Sequence, residues 1–118
     1  MIDLAQTNVV VIVFGMEGCG ACEHYIPRLI NEANQLAAQG FPFVVEPAAP
    51  LVPGQIPIML YDAASDDKGV IELADRYKVH ATPTTIVMMR GPGSFKCEGS
   101  LANNQIQWLL MMASEANR

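Results

Sequence analysis

Two cysteines three positions apart, Cys19 and Cys22, carry the clearest chemistry in the sequence. They form a C-x-x-C pair within "GMEGCGACEHYIPRL", and such a pair can be a metal clip, a structural disulfide or a reactive dithiol. A zinc site is disfavoured, because zinc takes four ligands and the other candidates, Cys97, His24 and His80, do not form a second close pair. A disulfide framework is disfavoured too, since three cysteines are too few and odd in number.

The reactive dithiol is favoured by the elements that must position the pair. "NVVVIVFG" predicts a buried central strand that ends at Gly15, and the apolar residues from Cys19 to Ala37 recur at helical spacing. At a helix start, free amide groups and the helix dipole stabilise a thiolate and lower its pKa from about 8.5 to roughly 3.5–7.5. Cys19 is therefore the expected nucleophile. Cys22, one turn further, is expected to resolve a mixed disulfide at Cys19.

The remaining elements predict an α/β fold with the order β-α-β-α-β-β-α. Pro27 is expected to kink the first helix, which ends near Gly40. Further strands are predicted at "IPIMLYDA", "TTIVMM" and "SFKCEG", with "RGPG" as the hairpin turn between the last two. Helices are predicted at "DDKGVIELADRYKV" and near the C-terminus, where Trp108 is expected to bury against the sheet. This order indicates a four-stranded mixed sheet with helices on its faces.

Length and composition bound the class of protein. With 118 residues and 51% apolar content, one domain over 1–118 is predicted, with 41–57 as a proline-rich insertion within it. A net charge of −5 with only seven Lys and Arg argues against nucleic acid as a partner. The apolar run from Val9 to Phe14 is too short for a membrane span, and no basic residue precedes it, so no signal peptide is predicted. We expect a cytoplasmic monomer.

Several segments together resemble the thioredoxin superfamily. The strand "VVVIVFG" leads into "CGAC", and Pro27 stands five positions after Cys22, where the family has its kinking proline. "RYKVHATPT" resembles the segment that ends in a cis-proline, and "CEGSLANNQIQWLL" resembles the last strand, glycine and helix. The resemblance runs from about Val9 to Ala113, interrupted by the insertion. It implies a thioredoxin-like fold without the first strand and helix of a full thioredoxin.

The resemblance also implies roles for residues around the pair. Pro83 is expected in the cis form beside the cysteines, with the Thr82 backbone receiving an extended substrate like an added strand. The substrate-binding residues implied are Gly18, Gly20, Ala21, Thr82, Pro83 and Gly99. The Cys19–Cys22 disulfide would be the redox group, with no other cofactor and no metal. The implied partners are disulfide-containing proteins and a reductase that the sequence does not identify.

Three positions depart from the family pattern. The buried acid usual six positions before the first cysteine is Val13, and the two usual tryptophans are Gly15 and Gly18. Deprotonation of Cys22 then needs another base or water. The candidate modulators of the thiol pKa values are His80, His24 and Glu17. Each of the three has an alternative interpretation as a solvent-exposed side chain.

The third cysteine, Cys97, falls in the predicted hairpin. It is interpreted as a small packed side chain rather than a regulatory or dimer-forming thiol.

The expected function is reduction of protein disulfides, an electron-transport activity with Cys19 attacking and Cys22 resolving. One alternative is a dedicated redox partner of a single enzyme, recognised through the segment 41–57, because long loops in compact domains are often functional. Another is a non-catalytic interaction subunit that docks through the surface around Pro83 and Gly99. Retention of both cysteines disfavours the second alternative, since docking needs neither thiol.

Overall fold

The structure, a computed structural model, describes residues 8–90 and 93–117. The elements in chain order are β1 (Val9–Gly15), α1 (Gly20–Ala38), β2 (Phe43–Val45), β3 (Ile56–Asp62), α2 (Lys68–Arg76), β4 (Thr84–Met89), β5 (Phe95–Glu98) and α3 (Asn103–Ala116). This order confirms the predicted α/β class and every predicted helix. Residues 1–7, on which the expectation about a signal peptide depends, and the two central residues of "RGPG" lie outside the described ranges.

The five strands form one mixed sheet in the order β2-β3-β1-β4-β5. Strand β1 is parallel to β3 and antiparallel to β4, with Ile12 opposite Met59 on one side and Ile86 on the other. All seven residues of β1 are buried, because the strand is central and both faces of the sheet are covered. Side chains alternate between the faces: Val9, Val11 and Val13 pack with α1 and α3, whereas Val10, Ile12 and Phe14 pack with α2.

The sheet has five strands where four were predicted, because the "FVV" stretch pairs with β3 at the sheet edge. The Ile56 amide donates to the Pro42 carbonyl over 2.8 Å, and the Glu46 amide donates to the Ile58 carbonyl over 2.9 Å. Three residues are too few to show the alternating apolar pattern of a strand. They form β2 because they pair with β3, which lies further along the chain. Part of the proline-rich segment therefore belongs to the sheet.

Helices α1 and α3 cover the same face of the sheet. The buried side of α3 consists of Ile106, Leu109, Leu110 and Ala113. Trp108 is 63% exposed, so the expectation that it buries against the sheet is wrong. Two positions after Ile106, it is rotated by about 200° from that residue and lies on the opposite side of the helix. No helix in 8–90 and 93–117 has both the length and the apolar character needed to cross a membrane.

The chain directions bring four loops to the same end of the sheet. Strands β1, β3 and β5 finish at this end, and β4 begins there. This follows from the pairings of Gly15 with Asp62, Phe14 with Thr84, and Thr84 with Glu98. The cysteine pair follows β1, and the segment that contains Pro83 precedes β4. The sheet topology thus brings the cysteine pair and the Pro83 segment to the same end of the sheet.

Candidate active site

Cys19 is the N-cap residue of α1, and its backbone is extended, with φ −85° and ψ 104°. Its sulfur accepts a hydrogen bond from the Cys22 amide over 3.2 Å, which satisfies one of the free donors at the helix start. The two cysteines form a disulfide with their Cα atoms 5.2 Å apart. Cys19 is half-buried, whereas Cys22 is only 5% exposed. An incoming reactant therefore meets the Cys19 sulfur first.

The loop before β4 contacts the Cys19 sulfur. The Thr82 carbonyl oxygen lies 3.6 Å from Cys19 Sγ, and the peptide bond between Thr82 and Pro83 is cis. The Gly99 amide donates to the Pro83 carbonyl over 2.8 Å, which ties the end of β5 to this loop. Gly99 has φ +84°, a conformation that favours glycine. Three of the candidate substrate-binding residues thus lie together beside the disulfide.

The other three candidate substrate-binding residues surround Cys19 along the chain. Gly18 and Gly20 flank it, Ala21 follows in the first turn of α1, and all three are exposed. Gly18 has φ +81°, so the turn into the helix depends on a residue that tolerates a left-handed backbone. The small residues at these three positions therefore leave the surface beside the Cys19 sulfur open.

The two histidines are exposed, and no described contact joins either to a cysteine within 8–90 and 93–117. His80 acts electrostatically on the Glu98 carboxylate instead. The pKa of Glu98 is lowered by its hydrogen bond and ion pair with Lys96 and, to a smaller extent, by the charge of His80. The structure thus supports the alternative interpretation of both His24 and His80 as solvent-exposed side chains.

The core around Val13 contains a pair of hydroxyl groups, and position 13 itself carries no carboxylate. Val13 there is fully buried, and it lies in register with Thr85 of β4 and Cys97 of β5. The hydroxyl groups of Tyr25 and Thr85 share a buried hydrogen bond of 2.7 Å. Burial raises the pKa of the Tyr25 hydroxyl, and the Arg28 guanidinium lies 5.7 Å from the ring centroid. Sequence reasoning missed this pair because its members are 60 positions apart.

Cys97 packs against the hydrophobic core, as predicted. Burial raises the pKa of its thiol, which disfavours the reactive thiolate.

A groove of about 450 Å³ opens beside Cys22, on the side away from Thr82 and Pro83. We call it the Cys22 groove; its walls include Gly15, Cys22, Ile26, Pro27 and Leu60, and its rim carries Glu17, Glu23 and Asp62. Of the candidate modulators, only Glu17 borders this groove. Asp62 was missed in the sequence because its position depends on the register between β1 and β3.

Nothing in the described parts of the chain brings three His, Cys, Asp or Glu side chains together as metal ligands. What the geometry provides is one accessible sulfur at a helix start and a second, shielded sulfur 5.2 Å away by Cα distance.

No family model matches the sequence, and no curated protein matches it. Solved structures do. A chloroplastic thioredoxin z has a TM-score of 0.62 at 15% identity over 94% of this chain and 82% of its own. Thioredoxin from Fasciola hepatica has a TM-score of 0.63 at 16% identity, covering 92% and 83% of the two chains. A thioredoxin-like protein from Clostridium perfringens has a TM-score of 0.62 at 17% identity, covering 92% and 72%. These likenesses confirm the fold that the resemblance implied.

Proposed function

We propose that this chain, which has the thioredoxin fold, is a thiol–disulfide oxidoreductase that reduces disulfides in other proteins through Cys19 and Cys22. The observation that carries the proposal is the Cys22 amide, 3.2 Å from the Cys19 sulfur at the start of α1. In the reduced protein this donor and the helix dipole favour the Cys19 thiolate, and the thiolate is the attacking form.

In the first step the Cys19 thiolate attacks one sulfur of a substrate disulfide. A bond forms between Cys19 Sγ and that sulfur, and the substrate's own S–S bond breaks, releasing its other cysteine as a thiolate. The half-exposed Cys19 and the low surface formed by Gly18, Gly20 and Ala21 support an approach from this side. An extended substrate segment can lie along the Thr82 backbone.

In the second step Cys22 loses its proton and attacks the Cys19 sulfur. The mixed disulfide breaks, the second substrate cysteine leaves as a thiolate, and the Cys19–Cys22 disulfide forms, so two electrons have moved from the protein to the substrate. Val13 offers no base for the proton, which therefore passes to water or to another base. An external dithiol or a reductase must then regenerate the reduced form.

An insulin-disulfide reduction assay with dithiothreitol tests the proposal. The wild-type protein is expected to accelerate precipitation of the insulin B chain above the dithiothreitol background. Cys19→Ser is expected to fall to that background, because it lacks the nucleophile. Cys97→Ser is the matched control, since it removes a thiol of the core, and it is expected to retain the activity.

The proposal is wrong if wild type is no faster than Cys19→Ser. A Cys22→Ser variant adds a second measurement, because without the resolving thiol the mixed disulfide at Cys19 is expected to accumulate. Non-reducing electrophoresis followed by mass spectrometry detects it with a disulfide-bearing test protein.

A further inference from the structure

The Cys22 groove has apolar walls, and it is deep because position 15 has no side chain. Ile26, Pro27 and Leu60 supply aliphatic surface. A Cβ atom placed on Gly15 would lie 2.7 Å from Ile26 Cδ1 and 3.9 Å from Cys22 Sγ. Any side chain at position 15 would therefore take up the space beside the sulfur. The groove reaches the dithiol because position 15 is glycine.

The rim of the groove is acidic. Glu17 comes from the loop after β1, Glu23 from the first turn of α1 and Asp62 from the end of β3. Among the described residues that line the groove, none is Lys, Arg or His. These three carboxylates attract positive charge and repel negative charge.

The walls and the rim together match one kind of side chain. Lys and Arg have an apolar stem that can lie along aliphatic surface, and a cationic end that remains near water and acidic groups. A Glu or Asp side chain would meet like charges at the rim. A purely apolar side chain would use the walls and leave the rim charges unmatched.

We propose that the Cys22 groove binds a Lys or Arg side chain of the disulfide-bearing substrate, close in sequence to the cysteine that Cys19 attacks. This inference depends on the proposed function. The Cα atoms of Cys19 and Cys22 are 5.2 Å apart. Cys22 lines the groove, so the groove adjoins the site of attack, and at about 3.3 Å per residue in an extended chain the basic residue is expected within about three positions of the attacked cysteine. The substrate class is thus proteins with basic residues flanking a disulfide.

Synthetic peptides with one internal disulfide test the preference. The peptides carry Lys, Gln or Glu two positions before and after each cysteine and are otherwise identical. The rate constant for reduction by the reduced protein is divided by the rate constant with dithiothreitol, which corrects for the intrinsic reactivity of each peptide. The corrected rate is expected to be about 3- to 10-fold higher for Lys than for Gln, lower again for Glu, and less different at 0.5 M salt.

Two sets of variants locate the preference. Glu17→Gln, Glu23→Gln and Asp62→Asn combined keep the shapes at the rim, and Asn retains the oxygen with which Asp62 accepts the Ala64 amide at 2.8 Å. In the combined variant, the corrected rate for the Lys peptide divided by that for the Glu peptide is expected to fall most of the way to 1. The control is Glu72→Gln with Asp75→Asn on α2, which removes exposed acids that do not line the groove. It is expected to keep the ratio.

Failure of this inference differs from failure of the proposed function. If the protein reduces all three peptides at the same corrected rate, or if the combined variant keeps the wild-type ratio, the groove does not select basic side chains. The proposed oxidoreductase activity is unaffected by either result. If the protein reduces none of the peptides above background and does not reduce insulin, both proposals are overturned.

Discussion

Cys19 and Cys97 are both half-buried, yet their surroundings act on a thiolate in opposite directions. Cys19 stands at the start of α1, where the Cys22 amide points at its sulfur from 3.2 Å. Cys97 lies in β5 against the hydrophobic core, where burial raises the pKa of its thiol. The difference teaches that equal exposure does not give equal reactivity. Amide donors and the helix dipole favour the charged form, and apolar packing disfavours it.

Cys97 belongs to a row of the sheet that crosses three strands. Val13, Thr85 and Cys97 lie side by side on β1, β4 and β5, and α1 carries both Cys22 and Tyr25 above this face. The polar groups of this row are the Thr85 hydroxyl and the Cys97 thiol, and burial favours the uncharged form of the thiol. Substitutions in the row therefore affect stability, and substitutions at the helix start affect reactivity.

The largest expected effect is a difference in alkylation rate between the two thiols. In the Cys22→Ser variant at pH 7, Cys19 is expected to react with iodoacetamide roughly 10- to 100-fold faster than Cys97. The thiolate fraction is high at a helix start and small at a thiol with a raised pKa, although the more basic thiolate is intrinsically more nucleophilic. Trypsin cleaves after Arg28 and Lys96, so mass spectrometry follows the two cysteines in separate peptides.

The same reaction in 8 M urea is the control, since unfolding removes both environments and is expected to bring the two rates together. Equal rates in the native protein would contradict the contrast between the sites.

A second prediction concerns the buried hydroxyl pair of Tyr25 and Thr85. Thr85→Val leaves the buried Tyr25 hydroxyl without its 2.7 Å partner and is expected to lower the free energy of unfolding by about 1–2 kcal/mol. Tyr25→Phe is expected to cost a similar amount, because it leaves the Thr85 hydroxyl unsatisfied. Urea denaturation of the oxidised proteins measures both.

The double variant sharpens this prediction. With both hydroxyls gone neither is left unsatisfied, so Tyr25→Phe combined with Thr85→Val is expected to cost clearly less than the sum of the single changes. Additive costs would mean that the two hydroxyls do not depend on one another.

Much of the fold and the position of the cysteine pair could be predicted from the sequence because the signals are local. The apolar run of β1, the helical spacing of α1 and the position of Cys19 between them are all contained in about thirty consecutive residues. The roles expected of the two cysteines followed from these signals, and the α/β class followed from the order of the predicted elements along the chain.

The parts that could not be predicted depend on pairing between distant segments. Strand β2 exists because three residues find a partner in β3, and the bond between Tyr25 and Thr85 crosses 60 positions. The Cys22 groove needs the register that places Asp62 opposite Gly15. The prediction for Trp108 was wrong for a different reason. It was assigned to the core because it is large and apolar, but its position around the helix turns it outward.

The smallest expected effect is a loss of stability at alkaline pH. The pKa of Cys97 is raised by burial, and that of Tyr25 is raised by burial and, to a smaller extent, by the charge of Cys97, against lowering by Thr85 and Arg28. The native state therefore keeps protons that the unfolded chain has already lost. Stability from these groups is complete below about pH 8.5 and is lost as pH rises through the native pKa values. The oxidised protein is used, because Cys19 and Cys22 do not titrate in the disulfide.

Urea midpoints between pH 7 and 10.5 measure this loss, with Cys97→Ala as the comparison. The variant starts from a lower stability because it leaves a small cavity, but its midpoint is expected to fall less steeply with pH than that of wild type. All other titratable groups are common to both proteins, so their contribution cancels in the difference between the two slopes. Identical slopes would show that the Cys97 environment does not hold its proton more tightly than the unfolded chain, and the contrast with Cys19 would then depend on the helix start alone.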